Sequence, residues 1–388
     1  MNQDPRATRA DANQGGQTPR VRKPVSEAMK SWRMHPLALL LPTGYSLIVT
    51  AVAILLAVVL ISMNVLVIGV CIFRGDFNLR LPSLKPPSHE SLNGVAGEDG
   101  DRPFADGQTG NVLLPTGEYA SPIAADKIHS TNAVLASLSD NEIIASRKAD
   151  EIIFPASMTK VMTLIVIVEN LPREECLQDT ITISQEVNDA MAAAGASRYG
   201  MTTGAKYSVE ALLYALMLRS DGVAATELAK YVAGNEEDFV ELMNLKAQKM
   251  GLKNTHFENP TGLHHDSHVS TCREIASIMT YAMNMELCRK IIKTVAYSTF
   301  STEPDGQQLR HTFYNKLTDE LFKGNTPNQP SGVTVVAGKT GFTDESRCCL
   351  VTYAETKDGR GFVCVTASAP NYSSCIQDYI TIYNNYVK

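Results

Sequence analysis

The pattern of apolar and polar positions divides the chain before any single residue is weighed. Tyr45 to Phe73 carries no charged residue and is an almost unbroken series of Leu, Ile, Val and Ala, longer than the roughly 20 residues that span a bilayer as a helix. A buried core helix does not run this long without a charge. A cleaved signal segment is shorter and ends at small residues, whereas this run ends Val70-Cys71-Ile72-Phe73-Arg74. Residues 45–73 are therefore expected to be a retained transmembrane anchor. Residues 1–44 before it read as a disordered basic tail, and residues 74–125 after it, with Pro, Gly, Ser and acidic side chains and no sustained periodicity, read as a flexible linker. The periodicity of a folded domain occupies 126–388.

Within that domain the pattern starts and ends as strand and is helical between. Ala133–Leu138 and Glu142–Arg147 flank the turn signal Ser139-Asp140-Asn141. Pro155 cannot continue a helix but suits the start of one, and from Met158 to Val168 the only polar side chains are Thr159, Lys160 and Thr163. A helix apolar on nearly every face is a buried helix. Ser208 precedes a periodic helix, Val209 to Leu218, which breaks at Arg219-Ser220-Asp221-Gly222 and resumes from Val223 to Gly234. Asn235 caps Glu236 to Met250, and Thr271-Cys272-Arg273-Glu274 reads as a capping box opening a helix to about Met285. Val333–Ala337, Cys348–Glu355 and Gly361–Ser368 are strands, the last two joined at Asp358-Gly359. Ser374-Cys375-Ile376-Gln377 opens a final helix. The expected fold is α+β, an antiparallel sheet flanked by helices with a helical subdomain.

Charge fixes orientation and narrows the partners. Residues 1–44 hold seven basic and three acidic residues, a balance of +4 against −6 for the whole chain, so the remainder is −10. The tail is expected in the cytoplasm and the domain outside the cell membrane, and so acidic a domain argues against nucleic acid as partner. Of eight cysteines, Cys71 lies in the apolar run. The other seven form no Cys-x-x-Cys pair, which gives neither a disulfide framework nor a zinc signature.

The chemistry centres on Ser157 and Lys160. Three apart on a helix, they share a face, and a lysine drawn into an apolar core loses its proton more easily, which makes it a base for the hydroxyl. The pair alone is weak, since Ser-x-x-Lys occurs by chance about once in a chain this long. Two further motifs follow in order, Ser220-Asp221-Gly222 in a helix break and Lys339-Thr340-Gly341 beside a strand. With Phe154-Pro155-Ala156, Asn254-Thr255-His256-Phe257, Asn259-Pro260-Thr261-Gly262-Leu263 and Phe342-Thr343-Asp344, the chain from about Lys127 to Lys388 resembles the low-molecular-weight D-alanyl-D-alanine carboxypeptidases of the penicillin-binding family, serine DD-peptidases.

That resemblance implies a β-lactamase/transpeptidase-like fold and a hydrolase that removes the terminal D-alanine of peptidoglycan stem peptides ending in D-Ala-D-Ala. It also implies β-lactams as covalent inhibitors, and neither metal nor cofactor. Ser157 would be the nucleophile, Lys160 its base and Ser220 the proton shuttle to the leaving D-alanine. Lys339 and Thr340 would bind the terminal carboxylate, Gly341 would let the substrate backbone lie close to the strand, and the N–H groups of Ser157 and Phe342 would form the oxyanion hole. One departure stands out. Gly222 occupies the position usually held by an Asn that grips the substrate, and Val223 follows where an acidic residue is common. A slow enzyme is expected from this, with Gly222→Asn raising kcat/KM. A binding protein without turnover and a class A-like β-lactamase are the alternatives, the latter needing a deacylating glutamate for which Glu258 is the candidate in the interval.

Other signals lead elsewhere only weakly. Gly332 to Thr340 imitates a phosphate-binding loop with one residue too many between its glycines. His264, His265 and His268 lack a His-Glu-x-x-His arrangement and read as a polar loop at the cleft rim.

Overall fold

The computed structural model describes Leu114 and residues 117–317 and 329–387. The expected anchor at 45–73, the basic tail and most of the linker lie outside the described residues. Among the described residues no helix is long and apolar enough to cross a membrane.

The first strands are β1 (Ser121–Pro122), β2 (Asn132–Ser137) and β3 (Glu142–Arg147). Helix α1 (Lys160–Asn170) follows a short 3-10 turn, Ala156–Thr159. Then come β4 (Thr180–Thr182), α2 (Gln185–Ala193), β5 (Lys206–Ser208), α3 (Val209–Tyr214) and α4 (Gly222–Ala233). Helices α5 (Glu236–Lys249), α6 (Cys272–Asn284) and α7 (Glu286–Lys293) lead to the hairpin β6 (Ala296–Thr302) and β7 (Gln308–Tyr314). The chain closes with β8 (Val333–Thr343), β9 (Arg347–Thr356), β10 (Gly361–Ala369) and α8 (Tyr372–Tyr386).

Six strands form one sheet in the order β1-β3-β2-β10-β9-β8. The pairings from β3 to β8 are antiparallel, while the two-residue β1 runs parallel to β3. Side chains alternate across a strand, and here both faces are covered. Leu135, Leu350, Phe362 and Cys364 pack against Cys375, Tyr379, Ile382 and Tyr383 of α8. Val134, Val351, Val363 and Val365 point the other way, into the core shared with α1 and α6. This is the expected α+β architecture.

Three local features differ from expectation. A second, four-stranded sheet, β4-β5-β6-β7, packs in the helical half. Glu274 does not close a capping box. Thr271 Oγ1 accepts from Glu274 N (3.1 Å), but the Glu274 carboxylate instead receives Asn254 N (3.0 Å) and Thr255 Oγ1 (2.5 Å). The final helix begins earlier than Ser374, because Asn371 is its cap and accepts from Ser374 N at 2.9 Å. Packing also reaches upstream of residue 126, through β1 and through Leu114, whose carbonyl accepts from Arg273 Nη1 at 3.0 Å.

Candidate active site

The site begins where the apolar run of α1 forces its first turn into the core. Met158 and Val161 to Val168 are buried, and Lys160 goes in with them at 2% exposure. Pro155 and a left-handed Ala156 (φ 46°) turn the chain so that Ser157 stays partly open at the surface of that turn. A non-glycine residue with φ in this region costs about 1–3 kcal/mol and is held only where its surroundings fix it. Lys160 Nζ lies 3.2 Å from Ser157 Oγ and donates to the carbonyl of Thr261.

That carbonyl is aimed by the Asn259–Leu263 loop. Asn259 Oδ1 accepts the N–H groups of Thr261 (3.1 Å), Gly262 (2.8 Å) and Leu263 (3.1 Å), and Thr163 Oγ1 donates to Pro260 O at 2.7 Å. Gly262 (φ 77°) lies against the backbone of Ala156 and Ser157, where any Cβ would overlap the Ala156 carbonyl. The loop motif is visible in the sequence, but its role as a clamp on Lys160 is not, because backbone carbonyls leave no mark on composition.

Burial dominates the electrostatics. Desolvation pulls the Lys160 amine down to about 7, with Asp221 opposing the shift and Lys316 adding to it. A group with this affinity exchanges its proton near neutral pH, as a general base must.

Ser220 ends a π-helical turn (Ala215–Arg219) in the left-handed conformation, φ 58° and ψ 35°. Ser220 does not cap the helix that follows: Asp221 caps α4 by accepting from Ala224 N at 2.7 Å. The other Asp221 oxygen accepts from Tyr199 N. Ser220 Oγ is left for Lys339, whose amine donates to it at 2.8 Å and to Thr340 O at 2.6 Å. Burial, then repulsion from Lys160 and Lys316, holds Lys339 well below the usual lysine range. The structure thus brings Ser157, Lys160, Ser220, Lys339 and Thr340 into one cleft with a buried floor.

Strand β8 forms one wall, and the expected strand beside Lys339-Thr340-Gly341 includes the motif itself. Being the outermost strand of the sheet, β8 has backbone groups that β9 does not pair. Phe342 is 52% exposed, with its ring centroid 6.4 Å from that of Tyr372. Gly341 also makes a close contact within the protein. A Cβ there would stand 3.1 Å from Pro155 O and 3.2 Å from Ser157 N, so its absence lets β8 approach the nucleophile turn.

The opposite wall corrects the reading of Gly222 as a vacancy. Gly222 N donates to Ser197 O at 2.8 Å, and a Cβ would meet Ala196 Cβ and Met191 Sδ, both at 3.1 Å. The loop after α2 fills the place of a side chain. Lys316 Nζ donates to Ser197 Oγ and steadies that loop.

The remaining candidates fall away from the chemistry. Glu258 Oε1 lies 3.2 Å from His256 Nε2 and 3.6 Å from His265 Nδ1, which engages the carboxylate that a β-lactamase would need for deacylation. His268 is not on the rim. It is 2% exposed, bridges Thr159 Oγ1 (2.8 Å) and Glu258 N (3.2 Å), and burial pushes its imidazole down to about 3. Among the described residues no cluster of His, Cys, Asp or Glu could hold a metal ion. The seven cysteines among the described residues are buried and form no disulfide, and Gly332 to Thr340 runs into β8 instead of cradling a phosphate at a helix start.

Comparison with known proteins agrees with the three motifs. A family model described as D-alanyl-D-alanine carboxypeptidase matches residues 119–371. The D-alanyl-D-alanine carboxypeptidase DacF of Bacillus subtilis (strain 168) is 31% identical over 241 residues, 62% of this chain and 58% of that one. The alignment therefore spans less than two thirds of that relative's length. The D-alanyl-D-alanine carboxypeptidase of Streptomyces sp. (strain K15) is 29% identical over 275 residues, 68% of this chain and 91% of that one. The crystal structure of the Streptomyces K15 DD-transpeptidase superposes with a TM-score of 0.60 at 27% identity, covering 66% of this chain and 96% of that one. With the serine–lysine pair, the helix-break serine and the strand lysine gathered into one cleft on that fold, the chain belongs to the D-alanyl-D-alanine carboxypeptidase family.

Proposed function

We propose that this protein is a membrane-anchored serine DD-carboxypeptidase that removes the terminal D-alanine from peptidoglycan stem peptides. The observation that carries the reading is the buried amine of Lys160, 3.2 Å from Ser157 Oγ and poised near pH 7. In this reading neutral Lys160 takes the Ser157 proton as Oγ attacks the carbonyl carbon of the D-Ala–D-Ala bond. The oxyanion settles on the N–H groups of Ser157 and Phe342. The C–N bond then breaks, Ser220 passes a proton to the departing D-alanine nitrogen, and an acyl-enzyme remains on Ser157. Water, activated by the same lysine, releases the shortened peptide. Lys339 holds Ser220 in place and, with Thr340, lines the position of the substrate's terminal carboxylate. β-Lactams would acylate the same hydroxyl.

The test is to incubate the full chain in detergent with a pentapeptide ending in D-Ala-D-Ala and to assay free D-alanine. Steady release that Ser157→Ala abolishes is expected; no release from wild type would contradict the reading. The anchor and orientation rest on the apolar run 45–73 and the basic residues before it. Protease added to intact spheroplasts is expected to degrade the domain and spare residues 1–44, and the reverse pattern would contradict the topology.

A further inference from the structure

His268 belongs to none of the three motifs, yet its side chain touches one of them. The backbone just after it is paired on both edges. Val269 exchanges hydrogen bonds with His256, both at 3.0 Å, and Ser270 exchanges them with Ile153 at 2.8 and 3.0 Å. Successive residues of an extended chain present their N–H and C=O groups to opposite sides. This short strip therefore lies between two segments, one leading from His256 into the Asn259–Leu263 loop and the other from Ile153 into the turn that carries Ser157. Those two segments meet again at Lys160, and His268 stands between them on the way there.

The imidazole makes a directed bridge. Glu258 N donates to Nδ1 at 3.2 Å, so that nitrogen is the acceptor of a neutral ring, and Nε2 carries the proton that it donates to Thr159 Oγ1 at 2.8 Å. Burial keeps the ring uncharged, and Phe257 meets it edge-on with centroids 5.6 Å apart. Thr159 is the residue just before Lys160, and Glu258 is the residue just before Asn259, whose side chain shapes the loop. Two further ties join the same partners, Thr163 Oγ1 to Pro260 O at 2.7 Å and Lys160 Nζ to Thr261 O. The last of these is the contact the reaction works on, because Lys160 changes its proton count there. The position of Thr261 O relative to Lys160 is therefore set by the other two.

We propose that His268 is a positioning residue for the reaction: by donating to Thr159 and accepting from Glu258 it fixes the Ser157–Lys160 turn against the loop that presents Thr261 O, and so keeps Lys160 Nζ within reach of Ser157 Oγ. This rests on the DD-carboxypeptidase reading above. His268 touches no reacting atom, and it acts through Thr159 on one side and the loop on the other.

The test is rapid-mixing acylation of the full chain in detergent by benzylpenicillin, on the alkaline plateau where Lys160 is neutral, separating the dissociation constant of the encounter complex from the acylation rate that follows it. His268→Ala is expected to slow acylation about tenfold to a hundredfold, the scale of a small misplacement of reacting groups, and to leave the dissociation constant unchanged. Thr159→Val, which removes only the hydroxyl at the other end of the bond, is expected to slow the same step, and the double variant to be no slower than His268→Ala. His268→Gln, whose amide nitrogen can reach Thr159 as a donor, is expected to recover most of the rate. Should His268→Ala fail to fold, Thr159→Val and His268→Gln decide the matter. A wild-type acylation rate in folded Thr159→Val, a double variant whose losses multiply, or a weakened encounter complex with the acylation rate intact would overturn the role of His268 alone. Failure of wild type to be acylated would overturn the enzymatic reading and this proposal with it.

Discussion

Each wall of the cleft carries a glycine inside its motif, and the two meet different surroundings. On the strand wall, Gly341 faces Pro155 O and Ser157 N, and its missing side chain brings β8 against the nucleophile turn. On the facing wall, Gly222 faces Met191 and Ala196, and its missing side chain is replaced by a neighbouring loop that Lys316 holds. The strand wall is built around the reaction: Ala156 is forced into the left-handed region, Gly262 fits against its carbonyl and Thr261 O steers Lys160. The facing wall delivers Ser220 and then seals itself. A glycine in a motif is thus read correctly only when the group facing it is known.

If that contrast is right, damage to the strand wall should outweigh damage to the facing wall. The largest effect is expected for Lys160→Met, which removes the base and should slow penicillin acylation by about 10²–10⁴. Wild-type acylation should show an acid limb with its midpoint near pH 7, low below it where Lys160 holds its proton and rising above it. The same shift bears on stability. Because the folded-state value lies below the usual 10.5, the unfolded chain binds more protons between the two. This residue therefore makes unfolding harder as pH rises from about 7, and denaturant midpoints should lose that slope in Lys160→Met. A slope unchanged in the variant would count against the buried, uncharged amine.

Next in size is Gly262→Ala, whose Cβ would overlap the Ala156 carbonyl in a left-handed backbone. A loss of about 3 kcal/mol or more is expected, seen as a melting temperature lower by roughly 10 °C. Gly341→Ala meets atoms at 3.1–3.2 Å and should cost about 1–2 kcal/mol, with slower acylation at a displaced Ser157. The smallest effect belongs to Gly222→Asn. The sequence alone suggests a gain, but contacts at 3.1 Å to Ala196 and Met191 require the loop to move and loosen Ser197 from Lys316. A fall in kcat/KM of roughly threefold to tenfold is expected instead. A gain would show that the loop yields freely and that the facing wall is not sealed.

What is legible in the sequence follows from what leaves a periodic or chemical mark. The buried helix after Ser157, the caps Ser208, Asn235 and Thr271, the β2–β3 hairpin and the three motifs can all be read there, because each rests on local residue choice. The second sheet cannot. Strands β4 and β5 are three residues each, and β6 reads Ala-Tyr-Ser-Thr-Phe-Ser-Thr with one face toward solvent, so no apolar run announces it. His268 looks like a loop residue because its burial depends on Thr159, more than a hundred positions earlier in the chain. Lys316 and Ser197 escape for the same reason: their meeting is set by the strands that flank them, not by spacing.

The central claim is that Ser157 is the nucleophile, and it is tested most directly by locating a covalent adduct. The full chain in detergent should be treated with a labelled penicillin, digested and examined by mass spectrometry. The account predicts one adduct per chain, on the peptide containing Ser157, absent from Ser157→Ala. An adduct on Ser220 or on a cysteine, or labelling that survives Ser157→Ala, would contradict it.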